Sequence, residues 1–278
     1  MDAPLLVRSR PAMFRALGTD DPPVRIEIDG QSYHCIEILK HDSWAATALY
    51  EGASGRIVCK FNRRQSLLGL PMAWLGRRLA MREARMLSRL ADLPNVPNPC
   101  GPVSVSGRVL PNAVAHDYVP GHPLHRHEQV RSDFYSKLRN LLAEMHRRQM
   151  AYVDLHKREN IIVGDDGEPY LIDFQISLAL TRRWPDATDA GRVLLRLLQR
   201  SDDYHLNKHA AKNALDPCSA VVARLREQRP WWIHVHRMVA VPFRELRRRL
   251  LVWLGIREGK GRATSERFAE DAVRREAA

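Results

Sequence analysis

The spacing of apolar and polar residues changes period several times along the 278-residue chain. From 25 to 62 apolar positions alternate with polar ones. VRIEIDGQSYHCIEIL places two alternating segments around Asp29-Gly30, and TALYEGASGRIVCKF repeats the arrangement around Gly52 to Gly55. Successive side chains of a strand point to opposite faces, so this alternation with Gly-containing breaks predicts antiparallel hairpins. Over 66–92 the period lengthens to that of a helix, with Pro71 suited to open it and Leu93-Pro94 to close it. Strand character returns in GPVSVSGRVLPNAVAHDYVPG and stops at Pro120-Gly121. A second helix is predicted over 132–149. Phe134, Leu138, Leu141, Leu142 and Met145 share one face, and Ser132 is placed to cap it. Two short apolar runs follow, joined by Asp165-Asp166-Gly167, which predicts a further hairpin. From 189 onward the pattern is helical, starting with Leu194, Leu195, Leu197 and Leu198. The polar run Asp202 to His209 reads either as an inter-helix loop, the favoured reading, or as the lining of a substrate site.

This order of elements predicts an α+β protein, with an antiparallel sheet lobe followed by a mainly helical lobe. The boundary falls near Asp117 to Gly121. The expected segments are 1–117 for the sheet lobe and its helix, 118–256 for the helical lobe, and 257–278 for a charged tail. A chain of this length, 45% hydrophobic, suffices for one two-lobed domain or two small ones.

Composition narrows the setting. The four cysteines, Cys35, Cys59, Cys100 and Cys218, show no CxxC spacing, which fits a reducing cytoplasm and argues against a zinc site or disulfide framework. No apolar run approaches the roughly 20 residues of a membrane span, and the first 18 residues lack a signal-peptide core. The expected location is therefore cytoplasmic. A net charge of +12, mostly from arginine, suits an anionic partner or simply a soluble surface. With no RNP-like aromatic strand and no GxxG clamp, nucleic acid is not the expected partner. Two Trp-Arg stretches stand out: 66–76 (SLLGLPMAWLG, beside Arg77, Arg78 and Arg82) and 231–257. Each reads either as an interfacial segment on the inner face of an anionic membrane or as a core helix with a basic solvated face.

The candidate chemistry lies in YVDLHKRENIIVGDDGEPYLIDFQ, residues 152–175. A hairpin there would hold Asp154, Asn160 and Asp173 at one end of its strands. One carboxylate would orient or deprotonate a hydroxyl, while the amide and the other carboxylate would hold Mg²⁺. Phosphoryl transfer from ATP needs that set. Upstream, Glu83 falls within the apolar stripe of Leu79, Met86, Leu87 and Leu90. A carboxylate on a buried face needs a cation, and Lys60 on the neighbouring strand could supply it.

Four separated pieces, spanning about residues 30–205, resemble the protein-kinase-like superfamily. The closest likeness is to the bacterial branch of lipopolysaccharide-core sugar kinases and RIO-type atypical kinases. The pieces are Val58-Cys59-Lys60-Phe61, Glu83 within AMREARMLSRL, His116-Asp117-Tyr118-Val119-Pro120-Gly121, and the signature hairpin preceded by Met145-His146. The resemblance implies a bilobal fold that binds ATP and Mg²⁺. It assigns Lys60 to the α- and β-phosphates with Glu83 as its partner, and Asp154 to the acceptor hydroxyl. Asn160 and Asp173 become the metal ligands, and the backbone around His116 to Tyr118 meets the adenine edge. Amides of the loop 40–47, at Ser43 and Ala45, would cover the phosphates, although this loop has no glycine. His156 stands where protein kinases carry a lysine near the γ-phosphate; Lys157 or Arg158 is the alternative, and a structural role for His156 stays open. Tyr152-Val153-Asp154 replaces His-Arg-Asp, Gln175 replaces the glycine of Asp-Phe-Gly, and Asp154 to Asn160 is one residue longer than usual. The short stretch from Asp173 to the next helix leaves no room for a long peptide platform. The implied acceptor is thus a lipopolysaccharide-type sugar or other membrane-linked hydroxyl, with an atypical serine/threonine protein kinase or a non-catalytic binding module as alternatives.

Overall fold

The computed structural model describes residues 12–67, 69–180 and 189–213; the segment 231–257 and the tail 257–278 lie outside them. The protein is a mixed α+β structure. Its described residues form two compact units, 12–81 with 100–115, and 82–99 with 116–180 and 189–213.

The first unit is built on the alternating segments. β1 (Arg25–Ile28), β2 (Gln31–His41), β3 (Ala45–Gly52) and β4 (Gly55–Asn62) form successive antiparallel pairs. After the helix α1 (Ala73–Leu90) come β5 (Val103–Val105), β6 (Arg108–Val109) and β7 (Ala113–Asp117). The seven strands take the order β6-β5-β1-β2-β3-β4-β7. Register shifts at Cys35/Glu37 and Ile38/Lys40 interrupt β2, where an unpaired residue sharpens the local twist. The buried face alternates as the pattern predicts: Ala46, Ala48 and Tyr50 on β3, and Ile57, Cys59 and Phe61 on β4, pack with Ile26, Ile28, Tyr33 and Val103. Burial of each large apolar side chain contributes about 1.5–3 kcal/mol.

The expected helix over 66–92 begins seven residues late, at Ala73. Leu67 and Leu70 instead bond each other's backbone across a tight turn, at 3.0 and 2.9 Å, with Gly69 at φ +81°. Glycine reaches that conformation without a Cβ clash, and Pro71 has no N–H to bond backwards, so helix forms only beyond it. Near the start of α1, Gly76 lies against the chain leaving β4. A Cβ there would stand 2.1 Å from the Arg63 carbonyl oxygen. Helix propensity favours alanine over glycine by roughly 0.5–1 kcal/mol, but a backbone clash of this kind costs roughly 1–3 kcal/mol. Gly76→Ala is therefore expected to lower the urea or thermal unfolding midpoint. An unchanged or raised midpoint would show that the strand end yields.

The second unit contains the remainder of α1 and β8 (Gly121–Pro123), α2 (Phe134–Arg147), β9 (Met150–Ala151), β10 (Ile161–Gly164), β11 (Pro169–Leu171), β12 (Leu178–Ala179) and α3 (Asp189–Asn213). All five predicted apolar positions of α2 are buried, and the helix packs on α3, β9 and β11. Its N-cap is Asp133 rather than Ser132. The Asp133 carboxylate makes no cap bond because Lys137 (2.8 Å) and Arg131 (3.3 Å) engage it. The run 202–209 is not a loop but the continuation of α3. Leu195, Asp202, Leu206 and His209 recur at helical spacing and are all buried, so two polar residues occupy positions of an apolar stripe. Among the described residues no helix is long and apolar enough to cross a membrane.

Candidate functional site

The hairpin between Asn160 and Asp173 is well specified by its own sequence. Ile161 pairs with Leu171, Ile162 with Tyr170 and Val163 with Pro169. In the turn the Gly167 N–H donates to the Gly164 carbonyl (2.7 Å), with Gly167 at φ +79°. The Asp166 carboxylate accepts from the Glu168 N–H (2.9 Å) and the Tyr170 hydroxyl (2.8 Å). β8 adds a third strand along β10. At the open end the Ile172 N–H donates to the Asn160 carbonyl (3.1 Å), which brings Asn160 and Asp173 to the same end of the strands.

Asp154 reaches this end from the loop after β9. The extra residue between Asp154 and Asn160 is taken up by a 3-10 turn, Arg158–Asn160. The Asn160 side-chain amide still donates back to the Asp154 carbonyl, at 3.5 Å. With its N–H₂ turned to Asp154, the amide oxygen is the remaining acceptor of that side chain.

The Asp154 side chain is nearly inaccessible. Lys157 Nζ donates to Oδ2 at 2.7 Å. The exposed His156 ring places Nδ1 3.2 Å from Oδ1, but out of hydrogen-bonding alignment, so Oδ1 accepts no hydrogen bond. A buried carboxylate oxygen left this way carries a substantial desolvation cost, and an incoming donor would relieve it. Burial acts to lower the Lys157 pKa, yet the Asp154 hydrogen bond and the Asp154, Asp173 and Glu159 charges outweigh it and the pKa rises. His156 moves the other way: partial desolvation, with the side chain still 52% accessible, lowers its pKa more than Asp154 raises it, and Lys157 and Lys208 add to the lowering.

The loop is held in an uncommon conformation. Val153 has φ +73° and Asp173 φ +59°. A β-branched residue there is strained by about 1–3 kcal/mol and persists only when its surroundings over-determine it. Several groups do so. Asp202, wholly buried on α3, accepts the N–H groups of Tyr152 (2.7 Å) and Val153 (2.8 Å) and lies 3.3 Å from His146 Nε2. Burial raises the Asp202 pKa despite those three partners. Ser177 donates to the Tyr152 carbonyl (3.0 Å), Arg82 donates to the Ser177 carbonyl (2.7 Å), and His209 Nε2 contacts the Leu155 carbonyl (2.7 Å). The Tyr152 hydroxyl bonds the Ile172 carbonyl, linking the loop to the strand that leads to Asp173.

Of the remaining expected site residues, Glu83 is buried on α1, in this same unit. His116 is buried near the end of β7, with Nδ1 2.8 Å from the Asp117 carbonyl, and Tyr118 lies in the link to β8. Lys60, Ser43 and Ala45 belong to the first unit. Lys60 pairs with Thr47 across β3 and β4 and, by strand alternation, lies on the face opposite Cys59 and Phe61. In the loop before β3 the donors are committed locally. Ser43 Oγ donates to the Phe14 carbonyl (2.9 Å), and the Trp44 and Ala45 N–H groups donate to Asp42 Oδ1 (2.7 and 3.0 Å). Burial raises the Asp42 pKa, but Lys40 and those amides more than offset it and hold the carboxyl low. The buried guanidinium of Arg63 closes the loop, donating to the carbonyls of Ser43 (2.6 Å), Met13 (2.8 Å) and Ser66 (3.0 Å).

Sequence reasoning weighed the run holding Asp202 and His209 as the lining of a substrate site but favoured a loop, and it did not single out Ser177. For Asp202 and His209 a signal existed, since both fall on the Leu195–Leu206 stripe as Glu83 falls on that of α1. Ser177 carried none. Among the described residues no three His, Cys, Asp or Glu side chains are grouped to hold a metal unaided. An amide oxygen and one carboxylate at a shared strand end form the sparser set that suits Mg²⁺, which retains waters and takes further oxygens from phosphates. No known protein-family model and no curated protein matches the sequence.

Proposed function

We propose that the protein is an ATP- and Mg²⁺-dependent phosphotransferase with a bilobal, protein-kinase-like fold. It transfers the γ-phosphoryl group to a hydroxyl, with a lipopolysaccharide-type sugar as the leading acceptor. One observation carries the reading: a buried Asp154 carboxylate oxygen without a hydrogen bond, on a braced loop beside Asn160 and Asp173. That oxygen suits the proton of an incoming hydroxyl. Lys157 holds the other carboxylate oxygen, and the restraints on Val153 keep the group in place before substrate arrives. Asn160 and Asp173 would hold Mg²⁺, which when bound neutralises charge on the nucleotide phosphates. Lys60, Glu83 and the backbone around His116 to Tyr118 keep the nucleotide-binding roles that the resemblance gives them. The acceptor class is supported by the short interval before α3 begins at Asp189.

A second reading, a non-catalytic binding module, is favoured by the loop before β3, where the Ser43 hydroxyl donates to Phe14 and the Ala45 N–H to Asp42. Incubating the protein with γ-labelled ATP and a fractionated cell extract, with Mg²⁺ or with excess chelator, separates the readings. The expected result is Mg²⁺-dependent label in the glycolipid fraction. Label confined to protein bands would make the protein an atypical protein kinase. Label in neither fraction, with nucleotide still bound, would leave the binding module.

A further inference from the structure

The outward side of α1 is chemically one-sided. Leu90, Leu87, Glu83 and Ala80 are buried along the helix, and on the opposite side Trp74, Arg77, Arg78, Met81, Arg85 and Arg89 are exposed. Trp74, Arg78, Met81, Arg85 and Arg89 follow one another at intervals of three or four residues and so line one side. The only carboxylate of the helix, Glu83, is on the buried side, so no acid of α1 offsets the four exposed arginines. Leu70, in the turn that precedes the helix, is 66% exposed, with Trp74 at 56% and Met81 at 51%. Apolar exposure is thus concentrated at the N-terminal part of a cationic ridge.

We propose that this ridge, from Leu70 through Met81, docks on an anionic lipid bilayer. Leu70, Trp74 and Met81 would enter the headgroup boundary while Arg77 and Arg78 face lipid phosphates. The pattern selects a bilayer over other anions because it has two parts. A polyanion such as nucleic acid would use the arginines and could stack a base on Trp74, but it offers no extended apolar phase to cover Leu70 and Met81 as well. At a bilayer surface an indole sits at headgroup level with its apolar body inward and arginine beside it. Each arginine near an anionic surface strengthens binding about fivefold, and salt weakens it. The inference is independent of phosphoryl transfer, and its test needs no nucleotide.

The test is sedimentation of the full chain with phosphatidylcholine vesicles, with and without phosphatidylglycerol, at low and high salt. Wild type is expected to sediment with the anionic vesicles at low salt and to be released by high salt. Leu70→Ser with Trp74→Ser, and separately Arg77→Glu with Arg78→Glu, are each expected to weaken partitioning at least about tenfold. Val109→Ser, an exposed apolar position on β6 away from this ridge, should bind as wild type does. All these positions are exposed, so unfolding midpoints should stay close to that of wild type. Wild type that fails to sediment at low salt would overturn the proposal, as would both ridge variants binding like wild type. Loss with the charge reversal alone, while Leu70→Ser with Trp74→Ser binds fully, would also overturn it and leave an adhesive basic surface.

Discussion

Asp154→Asn is expected to lower the phosphoryl-transfer rate by about 10²–10⁴-fold while leaving the unfolding midpoint close to wild type. The substitution preserves shape and an oxygen for Lys157, whose ammonium is 2.7 Å from the carboxylate. It removes the basic oxygen that accepts no hydrogen bond from the protein. Only a step that uses that oxygen should suffer, so kcat should fall and nucleotide affinity should stay within a few-fold of wild type. A second readout reports the local electrostatics. The Lys157 pKa is raised because the Asp154 hydrogen bond and neighbouring carboxylates overcome burial. Loss of the Asp154 charge should therefore bring it down, which amine-reactive labelling across a pH series would detect. Wild-type turnover in Asp154→Asn would remove this residue from the chemistry.

Asp202→Ala is expected to cost roughly 2–5 kcal/mol of stability and to abolish transfer even under conditions where the variant stays folded. Each of the Tyr152 and Val153 N–H groups would lose its carboxylate acceptor, at about 1–3 kcal/mol per buried group. The strain at Val153, φ +73°, would lose its main restraint, and the next residue is Asp154. Asp202→Asn keeps a single acceptor oxygen and should fall between alanine and wild type in both measurements. Denaturant unfolding and turnover should thus decline together across Asp, Asn and Ala. Wild-type values for both measurements in the alanine variant would show that the loop holds its shape without α3.

Local chemistry was legible wherever an element specifies itself. The 161–173 hairpin follows from two apolar runs and an Asp-Asp-Gly turn, and the buried face of α2 follows from five apolar residues at helical spacing. Competing local signals misled at the edges. Ser132 has the right chemistry for a cap, but Lys137 and Arg131 draw Asp133 into the first turn's ion pairs, and the helix starts one residue later. The polar run 202–209 read as a loop because its composition is hydrophilic. Two of its buried members, Asp202 and His209, are polar because they serve backbone groups some 50 residues away.

The sequence by itself determined the class of elements, their order, the turn chemistry, and the presence of Asp154, Asn160 and Asp173 around one hairpin. These depend on side-chain period and on residues near in the chain, which act within a few ångströms wherever the rest of the protein lies. Tertiary structure alone decided which carboxylate braces the loop and which keeps an oxygen without a hydrogen bond. It also decided that the loop before β3 spends donors on Asp42 and Phe14. Those outcomes rest on desolvation and on partners distant in sequence. A buried carboxylate takes whatever donors the packed fold brings to it, and no local pattern encodes that choice.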